Sequence, residues 1–224
     1  MTADSANGLD RLQHVLRPAA GEAEGALVLF HGRGVDEHDL APLLDVLDPD
    51  RRLVGAAPRG PVSLPPDPGA HWYGPVRRVG YPDRETFLRS YALLDEWLGA
   101  LEQSTGVEPA RTVIGGFSQG TVMAYALGLG PGRPVPAGVL AMSGFIPNVE
   151  RWSLDLSSRA GLPVAITHGT LDPVIPVDFG REASERLQAA GLDVTYRESP
   201  IGHGVDPRLL PELGSWIMRV VPSS

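Results

Sequence analysis

Gly116-Phe117-Ser118-Gln119-Gly120 has the spacing G-x-S-x-G. A serine becomes a nucleophile when it is held on a sharp strand-to-helix turn, and glycines two residues to either side leave room for the chain to fold beneath it. Serine chemistry also needs a base to take the hydroxyl proton and an acid to orient that base. Asp172, in His168-Gly169-Thr170-Leu171-Asp172, and His203, in Gly202-His203-Gly204, supply them in the chain order serine, acid, histidine. Attack on an ester creates an oxyanion, which needs donors placed where the charge develops. The backbone N–H of Gln119 is one candidate. The N–H of Arg33, freed to turn by Gly32 and Gly34, is the other. The Arg33 side chain is expected to pair with Asp36 or Asp39 at the rim, with an acidic substrate group as the alternative.

Other chemistries have less to work with. Every basic residue is arginine and there is no cysteine, so Schiff-base lysines, thiol nucleophiles and thiolate metal sites are excluded. His31 ends a strand before Gly32 and reads as a structural hydrogen-bonder. His168 reads as shaping the turn that holds Asp172. His14, His38 and His71 are scattered without ligand spacing, so no metal site and no cofactor are expected. A net charge of −8 repels phosphate backbones and anionic headgroups, which argues against nucleic acid and membrane surfaces. The longest apolar runs, such as Ala26 to Phe30, are too short to span a bilayer. Met1 to Asp10 carries acids and no apolar leader, so the expected location is cytoplasmic.

The elements that must position these residues follow from hydrophobic period. Ala26–Phe30, Leu53–Ala57, Thr112–Phe117, Ala137–Met142, Pro163–Thr167 and Leu192–Arg197 read as strands. Between them lie helical stripes: Leu40 to Leu47, a helix capped by Asp83 with Phe87, Tyr91, Leu94, Leu98 and Leu101 on one face, then 119–129, 179–190 and about 207–220. Such alternation implies an α/β fold, a mostly parallel sheet with helices on both faces. The whole of 1–224 is expected to be one domain, with 1–9 flexible. Ligands of such sheets sit beyond the carboxyl ends of the strands, where the serine, the acid and the histidine all fall.

Leu29-Phe30-His31-Gly32-Arg33-Gly34, Gly115 to Gly120, Ser143-Gly144-Phe145-Ile146-Pro147, His168 to Asp172 and Gly202-His203 together resemble the carboxylesterase/phospholipase family of α/β-hydrolases. The resemblance runs from about residue 26 to 220. It implies an α/β-hydrolase fold without a large lid, a Ser118–His203–Asp172 triad, and Arg33 and Gln119 as oxyanion donors. It also implies a small-molecule ester or thioester substrate and no cofactor, and it is compatible with a homodimer. Trp72-Tyr73-Gly74 and Phe145-Ile146 stand where the family borders its acyl groove with slightly different residues. Trp72 and Tyr73, in the long loop Pro58–Gly80, are therefore expected to form one wall and Val174 and Ile175 another, with Phe145 and Ile146 beside them. The expected activity is serine carboxylesterase on small to medium acyl esters, with thioesterase or lysophospholipase as the near alternative. A non-catalytic small-ligand binder is a distant one, since no triad member or oxyanion glycine is missing.

Overall fold

The computed structural model describes residues 8–221. Its strands are β1 (His14–Arg17), β2 (Gly25–Phe30), β3 (Leu53–Pro58), β4 (Thr112–Phe117), β5 (Gly138–Met142), β6 (Pro163–Gly169) and β7 (Asp193–Ser199). The helices are α1 (Ala41–Leu47), α2 (Arg84–Thr105), α3 (Gln119–Leu129), α4 (Asp178–Ala189) and α5 (Leu210–Val220). The seven strands make one sheet in the order β1-β3-β2-β4-β5-β6-β7. All neighbours are parallel except β1, which runs antiparallel along β3.

Strands buried on both faces explain the uninterrupted apolar runs. Alternate residues of the central strands point to opposite layers. Val28, Phe30, Ile114, Val139 and Ile166 pack with α2, α3 and α4. Leu27, Leu29, Val113, Leu140 and Ala165 pack with α1 and α5. Helix α3 is buried on every side, which accounts for Val122 to Leu127 having no polar face but Tyr125. Helix α2 begins as its sequence predicts, with the Asp83 carboxylate accepting from Thr86 N–H at 3.1 Å, and ends at Gly106 in the left-handed conformation, φ 72°.

Three expectations change. β1 has a mixed burial pattern and no apolar run, so periodicity does not reveal it. Of the N-terminal nine residues expected to be flexible, 1–7 lie outside the described residues. Gly8 and Leu9 form a 3₁₀ turn against α2, and Leu9 is buried in the core. The last helix starts at Leu210, after a separate 3₁₀ turn at Pro207–Leu209.

The register gathers the strand ends at one edge. Phe30 pairs with Gly116, Phe117 with Met142, and Gly169 with Ser199. His31, Ser118, Ser143 and the Asp172 and His203 loops therefore all leave the sheet on the same side.

Candidate active site

Ser118 is the junction of β4 and α3, and its backbone is in an unusual conformation, φ 56° and ψ −115°. A side chain rarely adopts a positive φ, so this position is strained unless the surroundings enforce it. They do. A Cβ on Gly116 would lie 2.3 Å from the carbonyl carbon of Gly120, and one on Gly120 would lie 1.9 Å from Phe30 O. Both contacts are with backbone, so neither can yield, and the two glycines are what lets β4 turn into α3 against β2. The Thr121 hydroxyl holds the turn to the next strand, 2.7 Å from both Gly116 O and Met142 O while accepting from Met142 N–H at 3.0 Å.

Ser118, His203 and Asp172 meet in a continuous hydrogen-bonded row. Ser118 Oγ is 3.0 Å from His203 Nε2, and His203 Nδ1 is 2.7 Å from Asp172 Oδ2. The other carboxylate oxygen accepts from Val174 N–H at 2.8 Å and Ile175 N–H at 2.9 Å. Burial alone would raise the Asp172 pKa, but the His203 hydrogen bond and the two backbone donors outweigh it and hold the carboxyl below its ordinary value. His168 Nε2 donates to Ile175 O at 2.8 Å and stands 3.6 Å from Asp172 Oδ2, so it braces the turn that carries the acid. The Phe117 ring lies 4.8 Å from that of His203 and gives the imidazole an apolar neighbour.

Arg33 and Gln119 line the same cavity as Ser118. As the first residue of α3, Gln119 has an N–H without an acceptor inside the helix. The Arg33 N–H has no protein acceptor among the described residues. The Gln119 side chain does something the sequence did not announce. Its Oε1 accepts from Trp72 N–H at 2.9 Å and its Nε2 donates to Tyr73 O at 2.8 Å, which pins the Pro58–Gly80 loop to the start of α3. Ser90 completes the clasp by donating to Trp72 O at 2.5 Å. The Arg33 guanidinium pairs with Asp67 at 2.6 Å, not with Asp36 or Asp39. The loop brings Asp67 across to it, and Asp36 and Glu37 are taken by Arg59.

A cavity of ≈ 390 Å³ opens over Ser118. Tyr73, Phe145, Val174 and Ile175 line it, as their positions suggested. Trp72 does not. It is fully buried and its Nε1 donates to His31 O at 2.9 Å, so it belongs to the packing beneath the site. Ile146 faces a neighbouring cavity instead. Sequence reasoning missed Val35, Val76, Val79 and Phe117 as wall residues. Phe117 was legible as the residue before Ser118; the valines sit in irregular loops without a pattern. His31 is a structural hydrogen-bonder, donating from Nδ1 to Gly32 O at 2.6 Å and accepting from Gly60 N–H at 2.9 Å. Among the described residues, one close group of metal-type donors occurs, Asp36, Glu37 and His38; these three do not line the cavity, although Val35 and Asp39 on either side of them do.

A seven-stranded, mostly parallel sheet with a serine elbow at a central strand end is the α/β-hydrolase fold. The Phospholipase/Carboxylesterase family model matches residues 13–220, and the chain belongs to that family. It is similar to acyl-protein thioesterase 1 of Gibberella zeae, 25% identical in an alignment 231 positions long, gaps included, that covers 95% of this chain and 97% of the relative. Among solved structures, esterase PE8 superposes with a TM-score of 0.80 at 28% identity, covering 93% of this chain and 99% of that one. The Bacillus cereus carboxylesterase has the same fold, with a TM-score of 0.80 at 23% identity over 93% of this chain and 94% of its own. The chain is thus a hydrolase of the esterase and thioesterase type. No helix among the described residues is long and apolar enough to cross a membrane.

Proposed function

We propose that the protein is a serine carboxylesterase that cleaves small to medium acyl esters through an acyl-enzyme. The observation that carries this reading is the row Asp172–His203–Ser118, with 2.7 Å and 3.0 Å separations, ending at a walled cavity. In the first half-reaction His203 Nε2 takes the Ser118 proton as Oγ bonds to the acyl carbon. The carbonyl electron pair moves to the oxygen, where the N–H groups of Arg33 and Gln119 receive it. Collapse expels the alcohol, which leaves with the proton held by His203. Water then repeats the sequence on the acyl-serine, with His203 as base, and frees the acid. Asp172 keeps Nδ1 protonated throughout, so Nε2 is the basic nitrogen.

The cavity volume falls in the range of about 300–1,000 Å³ common to small-molecule sites, which favours short and medium acyl groups. Thioester cleavage is a second reading, supported by the likeness to an acyl-protein thioesterase. The same atoms perform it with a thiolate leaving group. An active-site fluorophosphonate should label Ser118 and nothing else, and Ser118→Ala should abolish turnover of p-nitrophenyl esters. Retained activity in that variant refutes the reading. kcat/KM on matched ester, thioester and lysophospholipid series of increasing chain length decides between the two substrate classes.

A further inference from the structure

Val79 lines two spaces. On its far side from Ser118 a second cavity of ≈ 560 Å³ lies between the Arg78–Tyr81 segment, the Ile146–Leu154 segment and α4. The partition is apolar. Phe145 faces the first cavity, and its ring lies 5.6 Å from that of Phe179, which faces the second. An acyl chain growing outward from Ser118 past Val79 and Phe145 would meet a more polar space, with Arg78, Asn148, Ser153, Glu182 and Arg186 among its walls.

Beyond them the lining is cationic. Arg78 and Arg186 both face the second cavity, and neither has an ion-pair partner among the described residues. Arg181, one turn earlier on the same helix, is paired with both Asp178 and Glu198. Arg78 is held by the Tyr81 ring, its guanidinium carbon 4.2 Å from the ring centroid. Trp152 also lines the cavity, and its indole N–H is buried without an acceptor. Glu182 is the one carboxylate in the lining and pairs with neither arginine.

We propose that this cavity is an anion subsite that receives a carboxylate or phosphate carried on the substrate at a distance from the scissile bond. The proposal rests on the reading of Ser118 as the nucleophile and deepens it to a substrate class: esters with an apolar spacer ending in an oxyanion. Planar guanidinium groups suit both kinds of anion, which they bind through paired N–H donors. The spacer is set by the Val79–Phe145 partition, so a short anionic ester should gain nothing.

The test compares p-nitrophenyl monoesters of adipic and suberic acid with their methyl-capped counterparts. A second arm puts the carboxylate or a phosphate on the phenol instead, which identifies the side of the ester that reaches the subsite. The wild type should favour the anionic member of a pair in one arm. Arg78→Ala and Arg186→Ala should each cut that preference by at least about tenfold, the scale of a lost hydrogen bond to a charged group. Turnover of the neutral esters should be unchanged, and Glu182→Gln should raise the preference. Suberate binding to Ser118→Ala, followed by calorimetry, gives a readout independent of turnover, and it should vanish when both arginines are replaced. If neutral esters are not cleaved, the catalytic reading fails and the calorimetry alone decides the subsite. Equal anionic preference in wild type and variants, or suberate binding indifferent to Arg78 and Arg186, overturns the proposal.

Discussion

Acid should unfold this protein partly through His31. The imidazole is 1% exposed, with Nδ1 committed to Gly32 O and Nε2 accepting from Gly60 N–H. A second ring proton would have to point at that N–H. Burial pushes the His31 pKa down from 6.5 to about 4; Arg59 acts in the same direction, and the Gly32 hydrogen bond, Asp36 and Glu37 oppose it. The unfolded chain therefore binds a proton near pH 6.5 that the fold refuses until about pH 4. Stability from this group is complete above the unfolded pKa and is lost as pH falls. Linkage gives a loss of about 2 kcal/mol by about pH 5 and about 3 kcal/mol by about pH 4. His31→Gln keeps an acceptor for Gly60 but cannot take up a proton. Urea unfolding of both proteins across this range should show the wild type more stable near neutrality, with the gap closing by about 2 kcal/mol at about pH 5. Carboxylates titrate in both proteins and cancel in the difference. Parallel stability curves would show that His31 is not refusing a proton, and the reasoning from its burial would fail.

Three further outcomes are expected. Asp172→Asn should fold normally by circular dichroism yet lose about 10⁴ in kcat, because an amide cannot hold His203 in the needed tautomer; near-native ester turnover would reassign the acid. Gly120→Ala, with its new Cβ 1.9 Å from Phe30 O, should destabilise by about 3 kcal/mol or more and show a lowered Tm in calorimetry, whereas an unchanged Tm would mean that the elbow has slack. Gln119→Ala keeps its backbone N–H but loses the bonds to Trp72 and Tyr73, so amide exchange in the 58–80 loop should accelerate by about tenfold or more, on the scale of about 1–3 kcal/mol.

The sequence carried the fold where burial is two-sided. β2, β4, β5 and β6 are short apolar runs with glycine at their ends, and helices lie between them at clear period. β1 escaped because its buried residue is Arg17, paired with the buried Asp48, while the apolar Leu16 faces outward. The turn at Ser118 was legible for a different reason: the strain there demands glycines at fixed offsets, and those are visible as letters. Contacts made across the sheet edge have no such signature. Arg33 found Asp67, and Gln119 found the backbone of Trp72 and Tyr73, through a loop whose path is set by tertiary packing. Trp72 looked like a wall because it is large and lies in that loop, but its indole N–H is satisfied by His31 O in the interior.

The proposed base follows an edge strand of the sheet. Ser118 leaves β4, which is flanked on both sides, whereas His203 follows β7, one of the two outer strands, which pairs with β6 alone and is partly exposed. Sheet edges open more readily than centres. The temperature at which such an enzyme stops working would then be set by the β6–β7 margin, not by the melting of the whole. Thermostabilisation aimed at the α2–α3 core would raise the melting point and leave the working ceiling where it was. Reinforcing the margin, at the Arg181–Glu198 and Arg197–Glu212 ties that fasten β7 to α4 and α5, is where operating range would be gained.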